Sequence, residues 1–423
     1  MTQSHFSNPS QFEVSEINID GQDVTGLFFS ISIYEDIYRP AVTGNIIITD
    51  SDGAGFIEEY RIEFIEPIKF TFKNALGDEY TFEGVMNGLR NEVVDGSVKF
   101  YTIDFTSTSV RKNEETFVVK SYRNANPEDI VREMVDKLEK PLTTQARGKQ
   151  MQYLGSRKRP VDIIKYVLTH GLSQTTEATD KQNSKEEEAK GTTGFLCWET
   201  VDGFKFESID DVLAGRSGTL HDGYKTLLVN NSNDMETLMK SIVQIQFKQI
   251  GDYQTKLRSG AFGAVNISFD MDTGEYKEYK YYNRDNMTEK QKEAFPEGSI
   301  SRYFMKPIDN QKYTNTCERA QPLTGDQSRG YLNQNCGRQN TFSDQTGQIT
   351  LYPQFNFKAG DIIDVQISKV KDEESQGGYD KKHSGKYIMQ AVAHHFFTDG
   401  RAYTKVKTVR STIQQDESSS SKS

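Results

Sequence analysis

The stretch QFEVSEINIDGQDVTGLFFSISIYEDIYRPAVTGNIIITDSDG, residues 11–53, decides the fold class of this 423-residue chain. Apolar and polar residues alternate through residues 27–33, and this period of two is typical of a half-buried strand. Asp20-Gly21 marks a turn, and Pro40, which cannot donate to a strand ladder, marks a corner before the apolar strand around Ile47. The stretch therefore predicts successive strands in the wall of a β-barrel or β-sandwich.

Alternating apolar residues recur on both sides of a mixed central region. Strands continue at residues 68–72, 80–82 and 98–105 and resume within residues 241–282 and 349–409. The 25 Phe and 21 Tyr residues also favour β-rich packing over a helical bundle. From residue 283 to residue 344 the sequence is irregular and predicts one short helix, with Thr288 and Gln291 as its capping box.

The central region predicts two helices and a hairpin. Asn126 before Pro127 is typical of a capped helix start, and a second helix starts at Pro160 and ends at Gly171, in the position of a left-handed cap. The segment 175–191 is polar and of low complexity, which predicts a mobile surface loop. The hairpin that follows contains the single tryptophan of the chain, Trp198.

The charge balance bears on the class of partner. The chain has 51 Lys and Arg against 61 Asp and Glu, a formal net charge of −10. Phosphate neutralisation needs cations in excess on one face, so this balance argues against a nucleic-acid-binding surface. Three separated cysteines predict no disulfide framework, and the chain shows neither a signal peptide nor an apolar run of membrane-spanning length. We therefore expect folding in a reducing cytoplasm.

Motifs that carry catalytic or metal chemistry are missing from the sequence. It contains no HExxH, CxxC, GxGxxG, GxSxG or phosphate-binding P-loop. Asp270-x-Asp272-x-Gly274 resembles part of a calcium loop, but Glu275 and Tyr281 occupy the positions that an EF-hand gives to Gly and Glu. A hairpin turn is the better interpretation there and at Asp50-x-Asp52-Gly53, although a second loop could complete a site at the latter. We predict no catalytic, cofactor-binding or metal-binding residue.

The only histidine pair, His394-His395, also favours a structural interpretation. Neighbours on a strand face opposite sides, so the two rings cannot chelate one metal ion. We expect one ring to be buried and hydrogen-bonded and the other exposed. Gly385-Lys386-Tyr387 resembles a P-loop fragment but lacks its upstream glycine, and predicts the start of a strand.

Four phrases of the sequence resemble the baseplate hub proteins of contractile-tailed bacteriophages. The first is the opening block, with its FSISIYEDI run and the corner from Pro40 to Gly44. GFLCWETVDGFKFESIDDVL at residues 194–213 is similar to an aromatic hairpin of that family, and FKAGDII at residues 357–363 is similar to a strand entry. The closing pair, residues 385–394 and 403–410, completes the resemblance in the family's order.

The resemblance implies a mainly β fold with α+β insertions, in which two antiparallel, tube-like β-barrel domains accompany a mixed α/β domain. Residues 1–112 would form the amino-terminal β-barrel domain and residues 113–225 the mixed domain with its loop 175–191. Residues 226–412 would form the second barrel with the irregular insertion 283–344, and residues 413–423 a disordered tail.

The resemblance also implies a function without bond chemistry or cofactors. Three copies would form a ring of pseudo-sixfold symmetry in the virion, assembled in the host cytoplasm, that joins the sixfold tail tube to the threefold central spike. Its partners would be the tube or tube-initiator protein, the spike and a tape-measure protein, with DNA passing through the lumen without specific binding. A hub of a cellular contractile injection system, a cell-wall-directed hydrolase and a carbohydrate-binding tail component remain alternatives.

Overall fold

A computed structural model describes residues 6–51, 55–173, 192–226, 234–250, 253–270, 274, 276–282, 289–308, 345–368, 379–380 and 383–410. The first β region contains strands β1 (Phe12–Ile19), β2 (Gln22–Asp23), β3 (Phe28–Asp36), β4 (Thr43–Asp50), β5 (Pro67–Asn74), β6 (Glu79–Asp95) and β7 (Val98–Ser107). Two short helices accompany them, α1 (Phe56–Glu59) and α2 (Thr108–Glu115).

The central region mixes helices with short strands. Its elements are β8 (Val118–Ala125), α3 (Pro127–Lys137), β9 (Leu142–Thr143), β10 (Met151–Lys158), α4 (Pro160–His170), β11 (Leu172–Ser173), β12 (Thr192–Thr193), β13 (Phe195–Thr200), β14 (Gly203–Ser208) and α5 (Ile209–Leu213). The strands β13, β14 and β9 form one sheet, whereas β8 and β10 form a separate two-stranded ribbon.

The third region returns to β structure. Its elements are β15 (Leu220–Lys225), α6 (Met235–Met239), β16 (Ile242–Ile250), α7 (Tyr253–Ser259), β17 (Gly263–Asp270), β18 (Tyr276–Tyr282), α8 (Glu289–Ala294), β19 (Arg302–Ile308), β20 (Gln345–Leu351), β21 (Ile362–Gln366), β22 (Gly385–Phe397) and β23 (Ala402–Arg410). Strands β17, β18 and β19 form a small sheet of their own.

One large curled sheet joins the first and third regions. It has 13 strands, and its main path runs β16-β20-β23-β22-β3-β4-β7-β6-β5-β1-β2, with β21 and β15 attached beside β22. The predicted fold class, mainly β with α+β insertions, is confirmed. The domain boundaries stay predictions.

The apolar core of the first region includes side chains from the far end of the chain. Phe355 and Phe396 belong to the same buried cluster as the alternating residues of β1 to β7, and Phe396 stacks on Phe72 with ring centroids 3.8 Å apart. The turn between β22 and β23 also bonds to the amino-terminal strands, since Thr398 N–H donates to the Phe29 carbonyl. The hairpin of β22 and β23 thus completes the core that the strands of the first region enclose.

The two central helices pack as their sequences predict. The stripe of α3 is buried, namely Ile130, Val131, Met134, Val135 and Leu138, and Pro127 and Pro160 each occupy the first turn of their helix. One capping prediction is wrong, because Gly171 is extended, with φ −71°, and is no left-handed cap. Asn126 is the N-cap residue, as predicted, but its amide donates to Asp129 instead of accepting a helix N–H. Thr288 lies outside the described residues, so the predicted capping box stays a prediction.

Candidate assembly surface

Eight consecutive strands of the large sheet form an uninterrupted antiparallel run. The order is β16-β20-β23-β22-β3-β4-β7-β6, and each pairing within it is antiparallel. Four strands come from the third region and four from the first. The two halves meet where β22 pairs with β3, from Ala391↔Asp36 to Phe397↔Ser30. The polypeptide therefore places two four-stranded units side by side in one sheet.

Each end of this run has an open edge among the described residues. At one end, β16 pairs with β20 alone, apart from a single bridge at Ser241 that precedes it. At the other end, β6 is 17 residues long, and β5 pairs only with its first part, up to Val85. Its second part, residues 88–95, pairs with β7 alone and exposes Val93 and Val94. Unpaired strand edges are templates for another strand.

The face of the run that is turned away from the apolar cores is polar. Every second residue along these strands lies on this face, and most of these residues are half-buried. Many carry only a hydroxyl, an amide or a methyl group, namely Ser32, Thr43, Asn45, Thr49, Thr102, Thr106, Thr346, Gln348, Thr350, Ala391 and Ala393. The alternate residues face the cores and are buried. This is the period of two that the opening stretch predicts, extended across both halves.

A groove of about 410 Å³ crosses this polar face where the two halves meet. Four cations line it, Arg39, Lys248, Lys405 and Lys407, against two acidic residues, Asp36 and the buried Glu35. None of the four cations has an ion pair with any described residue. Across the groove, the rings of Tyr34 and His395 pack edge to face at 5.9 Å. The groove is thus positively charged although the chain carries a net charge of −10.

The two histidines of the pair face opposite sides of β22, as predicted. His394 is buried and its Nδ1 lies 3.1 Å from the Thr404 hydroxyl, while His395 faces the groove with its Nδ1 2.9 Å from the Ser32 hydroxyl. His395 is half-buried, whereas we expected it to be exposed. Burial, with a further effect of Lys405, lowers the pKa of His395 to about 4, so the ring is neutral at pH 7.

Beneath the groove, a buried carboxylate links three distant parts of the chain. Glu35 lies in β3, and its oxygens accept the backbone N–H groups of Val201 at 2.9 Å and Ala359 at 3.0 Å. Burial raises the pKa of Glu35 to about 7. The same turn is held by Trp198, whose indole N–H donates to the Ala359 carbonyl at 2.8 Å. Both oxygens of Glu35 are used in hydrogen bonds to the backbone, which is typical of a structural carboxylate.

Two further buried carboxylates also hold distant segments together by accepting hydrogen bonds. Glu199 in β13 accepts the hydroxyls of Ser107 and Ser109 at 2.6 and 2.5 Å, and burial raises its pKa. Asp361 accepts the Thr219 N–H and lies 3.1 Å from His221 Nε2. Burial has the largest single effect and opposes the ionisation of Asp361. The hydrogen bond with His221, the charge of Lys205 and the bond from the Thr219 N–H together outweigh it and lower the pKa of Asp361. Glu199 thus joins the central region to the first, and Asp361 joins segments that lie about 140 residues apart in the chain.

Sequence reasoning missed these three roles, although their residues lie within the phrases already quoted. Glu35 stands in YED, Glu199 in WET and Asp361 in AGD. The signal was a carboxylate inside an otherwise apolar, alternating segment. Such a residue is buried only when donors reach it, and the sequence does not show where those donors are.

The two calcium-like segments lie only partly within the described residues. Asp50 accepts the N–H groups of Gly55 and Phe56, each at 3.1 Å, and residues 52–54 and 271–273 lie outside the described residues. Among the residues that the structure describes, no group of three or more His, Cys, Asp or Glu side chains could hold a metal ion.

Gly385 begins β22, as predicted. No described helix is long and apolar enough to cross a membrane. That no residue is catalytic or binds a metal ion or a cofactor stays a prediction.

Comparisons with solved structures assign the fold to tail proteins. The 43 kDa tail protein of prophage MuSo2 from Shewanella oneidensis superposes with a TM-score of 0.53 and 9% identity, over 94% of this chain and 98% of that one. The chain has the fold of a prophage tail protein. A tail protein from Neisseria meningitidis MC58 gives a TM-score of 0.52 and 10% identity, over 96% and 98% of the two chains. No family model and no curated protein sequence matches the chain.

Proposed function

We propose that this chain is a structural tail protein that forms the baseplate hub, a homotrimeric ring between the tail tube and the central spike. The observation that carries the proposal is the eight-stranded antiparallel run with an open edge at each end. The shared fold with tail proteins and the predicted family resemblance support the same assignment.

The strand count favours closure into a ring. Eight strands alternate in direction, so β16 and β6 at the two ends run antiparallel to each other. The exposed second part of β6 in one copy therefore presents the correct direction to β16 of the next copy. Such a head-to-tail contact uses two different surfaces, and repeated copies close into a ring when the rotation allows it.

A hub joins a sixfold tube to a threefold spike, and a ring of three copies would fit both symmetries. Each copy contributes two four-stranded units, joined inside the chain where β22 pairs with β3. Six similar units would then surround one axis and match a sixfold tube, while the three chains match a threefold spike. The polar face would line the lumen, because the apolar cores and the central region lie on its other side. DNA or a tape-measure protein would pass through that lumen.

The native mass of the purified chain tests the proposal. We expect a particle of three times 48.1 kDa by light scattering, and a ring with six similar units in averaged electron micrographs. Coexpression with the spike protein from the same genome should give a complex of three hub chains and one spike trimer. A monomer at micromolar concentration, with the spike present, would overturn the proposal.

A further inference from the structure

A second surface with an unusual composition lies on the ribbon of β8 and β10. Among the described residues neither strand has a second strand neighbour, so the ribbon has two open edges. One of its faces packs on the central core through Val118 and Tyr122, which are buried. The other face is turned to solvent.

The outward face of the ribbon carries a stripe of large apolar side chains. Phe117, Val119 and Leu154 are 54%, 78% and 62% exposed. Leu154 pairs with Ser121, so it shares a face with Ser121 and, two residues earlier, with Val119. Phe117 precedes them along the same side of the chain. Contiguous exposed apolar side chains of this kind mark interaction sites.

Cations surround the stripe, and the ribbon contains no acidic residue. Residues 117–125 and 151–159 include five Lys and Arg and no Asp or Glu. Arg157 and Arg159 lie over the Phe117 ring, with guanidinium carbons 5.7 and 5.8 Å from its centroid. Arg123, Arg157 and Lys158 have no ion pair with any described residue, whereas Lys120 and Arg159 are paired with Glu133 and Glu114.

We propose that this ribbon face is a docking site for a partner protein, which adds an extended segment of alternating apolar and acidic side chains. The apolar side chains would cover Val119 and Leu154, and the carboxylates would meet Arg157 and Lys158. An open edge of β8 or β10 would supply the backbone hydrogen bonds of an added strand. Charge complementarity selects the acidic segment, because the ribbon is positive within an acidic chain. The inference holds whether or not the chain forms a ring.

A protein segment fits this surface better than a membrane does. A strand about as long as β8 would lie along the apolar stripe and reach both the stripe and the cations at once. Membrane-bound surfaces of the amphipathic type insert a long apolar face between lipid headgroups. Here the three apolar side chains stand on a flat, two-stranded ribbon, between strand edges that only another backbone satisfies.

The test uses the full chain and a labelled synthetic peptide, of the length of β8, in which leucine alternates with glutamate. We expect saturable binding by fluorescence anisotropy. The double variant V119S/L154S and the double variant R157Q/K158Q should each weaken it by about tenfold or more. Binding should also weaken as the salt concentration rises from about 0.05 to about 0.5 M.

Matched controls make the outcome decisive. Tyr303→Ser removes an equally exposed aromatic side chain from β19 and should leave peptide binding unchanged. A peptide with lysine in place of glutamate should not bind. Equal binding of both peptides, or binding that V119S/L154S leaves intact, would refute the docking site. So would a stronger response to vesicles of phosphatidylserine and phosphatidylcholine that the same variants abolish, since this would assign the face to a membrane surface. Thermal melting of each variant shows that it is folded.

Discussion

The carboxylate of Glu35 accepts the backbone N–H of Ala359 at 3.0 Å, although 324 residues separate the two in sequence. This bond, with the second one from Val201, holds the turn before β21 and the loop after β13 against the strand at which the two halves of the sheet meet. Glu35 therefore links β3, whose other side belongs to the polar face, to the central region and to the turn before β21.

Replacing Glu35 by glutamine should change the pH dependence of stability. Burial raises the pKa of Glu35 from 4.5 to about 7, so the folded state prefers the protonated acid. This contribution is fully present below pH 4.5 and is lost as the pH rises to about 7, by at most about 3 kcal/mol. Glutamine does not titrate and leaves one backbone N–H without its acceptor, which costs about 1–3 kcal/mol.

The difference in unfolding free energy between wild type and Glu35→Gln should therefore be largest near pH 4.5 and shrink toward pH 7. Urea unfolding followed by the fluorescence of Trp198, which lies at the same turn, measures it at each pH. A difference that stays constant over this range would contradict the buried, proton-binding state of Glu35.

His394 should give the opposite pH dependence. Burial, followed by the charge of Lys358, lowers its pKa from 6.5 to about 3. The unfolded chain binds a proton at this site below pH 6.5 while the folded chain does not, so stability is lost as the pH falls from 6.5 to about 3. The His394→Gln variant keeps a side chain that can bond the Thr404 hydroxyl but does not titrate.

Relative to wild type, His394→Gln should gain stability progressively below pH 6.5, by about 5 kcal/mol at most. The measurement is again the urea midpoint as a function of pH. If the urea midpoints of the two proteins changed with pH in the same way, the His394 ring would be protonated as readily in the folded chain as in the unfolded one. That result would contradict the prediction.

The sequence predicted which residues face a core but not which strands are neighbours. Alternation in β3 is clear because one face is buried and the other polar, and the structure places Ile31 and Ile33 in the core. Its pairing with β22 depends on a partner more than 350 residues away, and a period of two carries no information on that partner. For the same reason the role of Glu35 could not be predicted, since both of its donors are distant in sequence.

Two elements on which the proposals rest were not predicted, for a physical reason. The second part of β6 is exposed on both faces, so NGLRNEVVD lacks the alternation that marks a strand. The ribbon strands β8 and β10 each have an irregular register, and Arg157 within β10 adopts a positive φ of 51°. Strand segments that are exposed on both faces carry a weaker pattern, because burial of one face creates the alternation of apolar and polar residues.

Gly360 should tolerate no side chain. Its φ is +90°, and a Cβ there would collide with Cζ2 of the Trp198 ring. Gly360→Ala should therefore destabilise the chain by about 2–4 kcal/mol, through backbone strain and overpacking together. Gly400→Ala is the matched control, because φ is +78° and no atom lies within 4 Å of the added carbon, so only the backbone cost of about 1 kcal/mol remains. Equal losses of melting temperature in the two variants would mean that the Trp198 contact contributes nothing.

Proline substitutions in the exposed part of β6 test ring closure separately from folding. Along an edge strand, successive N–H groups point alternately to the paired neighbour and to the open side. Of Val93→Pro and Val94→Pro, one therefore removes an N–H that bonds β7, and the other removes an N–H that only another copy of the chain would use. We expect the first variant to melt at a lower temperature. The second should keep the melting profile of a folded monomer and fail to form the trimer in light scattering. Val85→Pro, at a position of β6 that pairs with both β5 and β7, is the control and should impair folding itself. Trimers of unchanged mass in both Val variants would exclude the second part of β6 from the subunit contact.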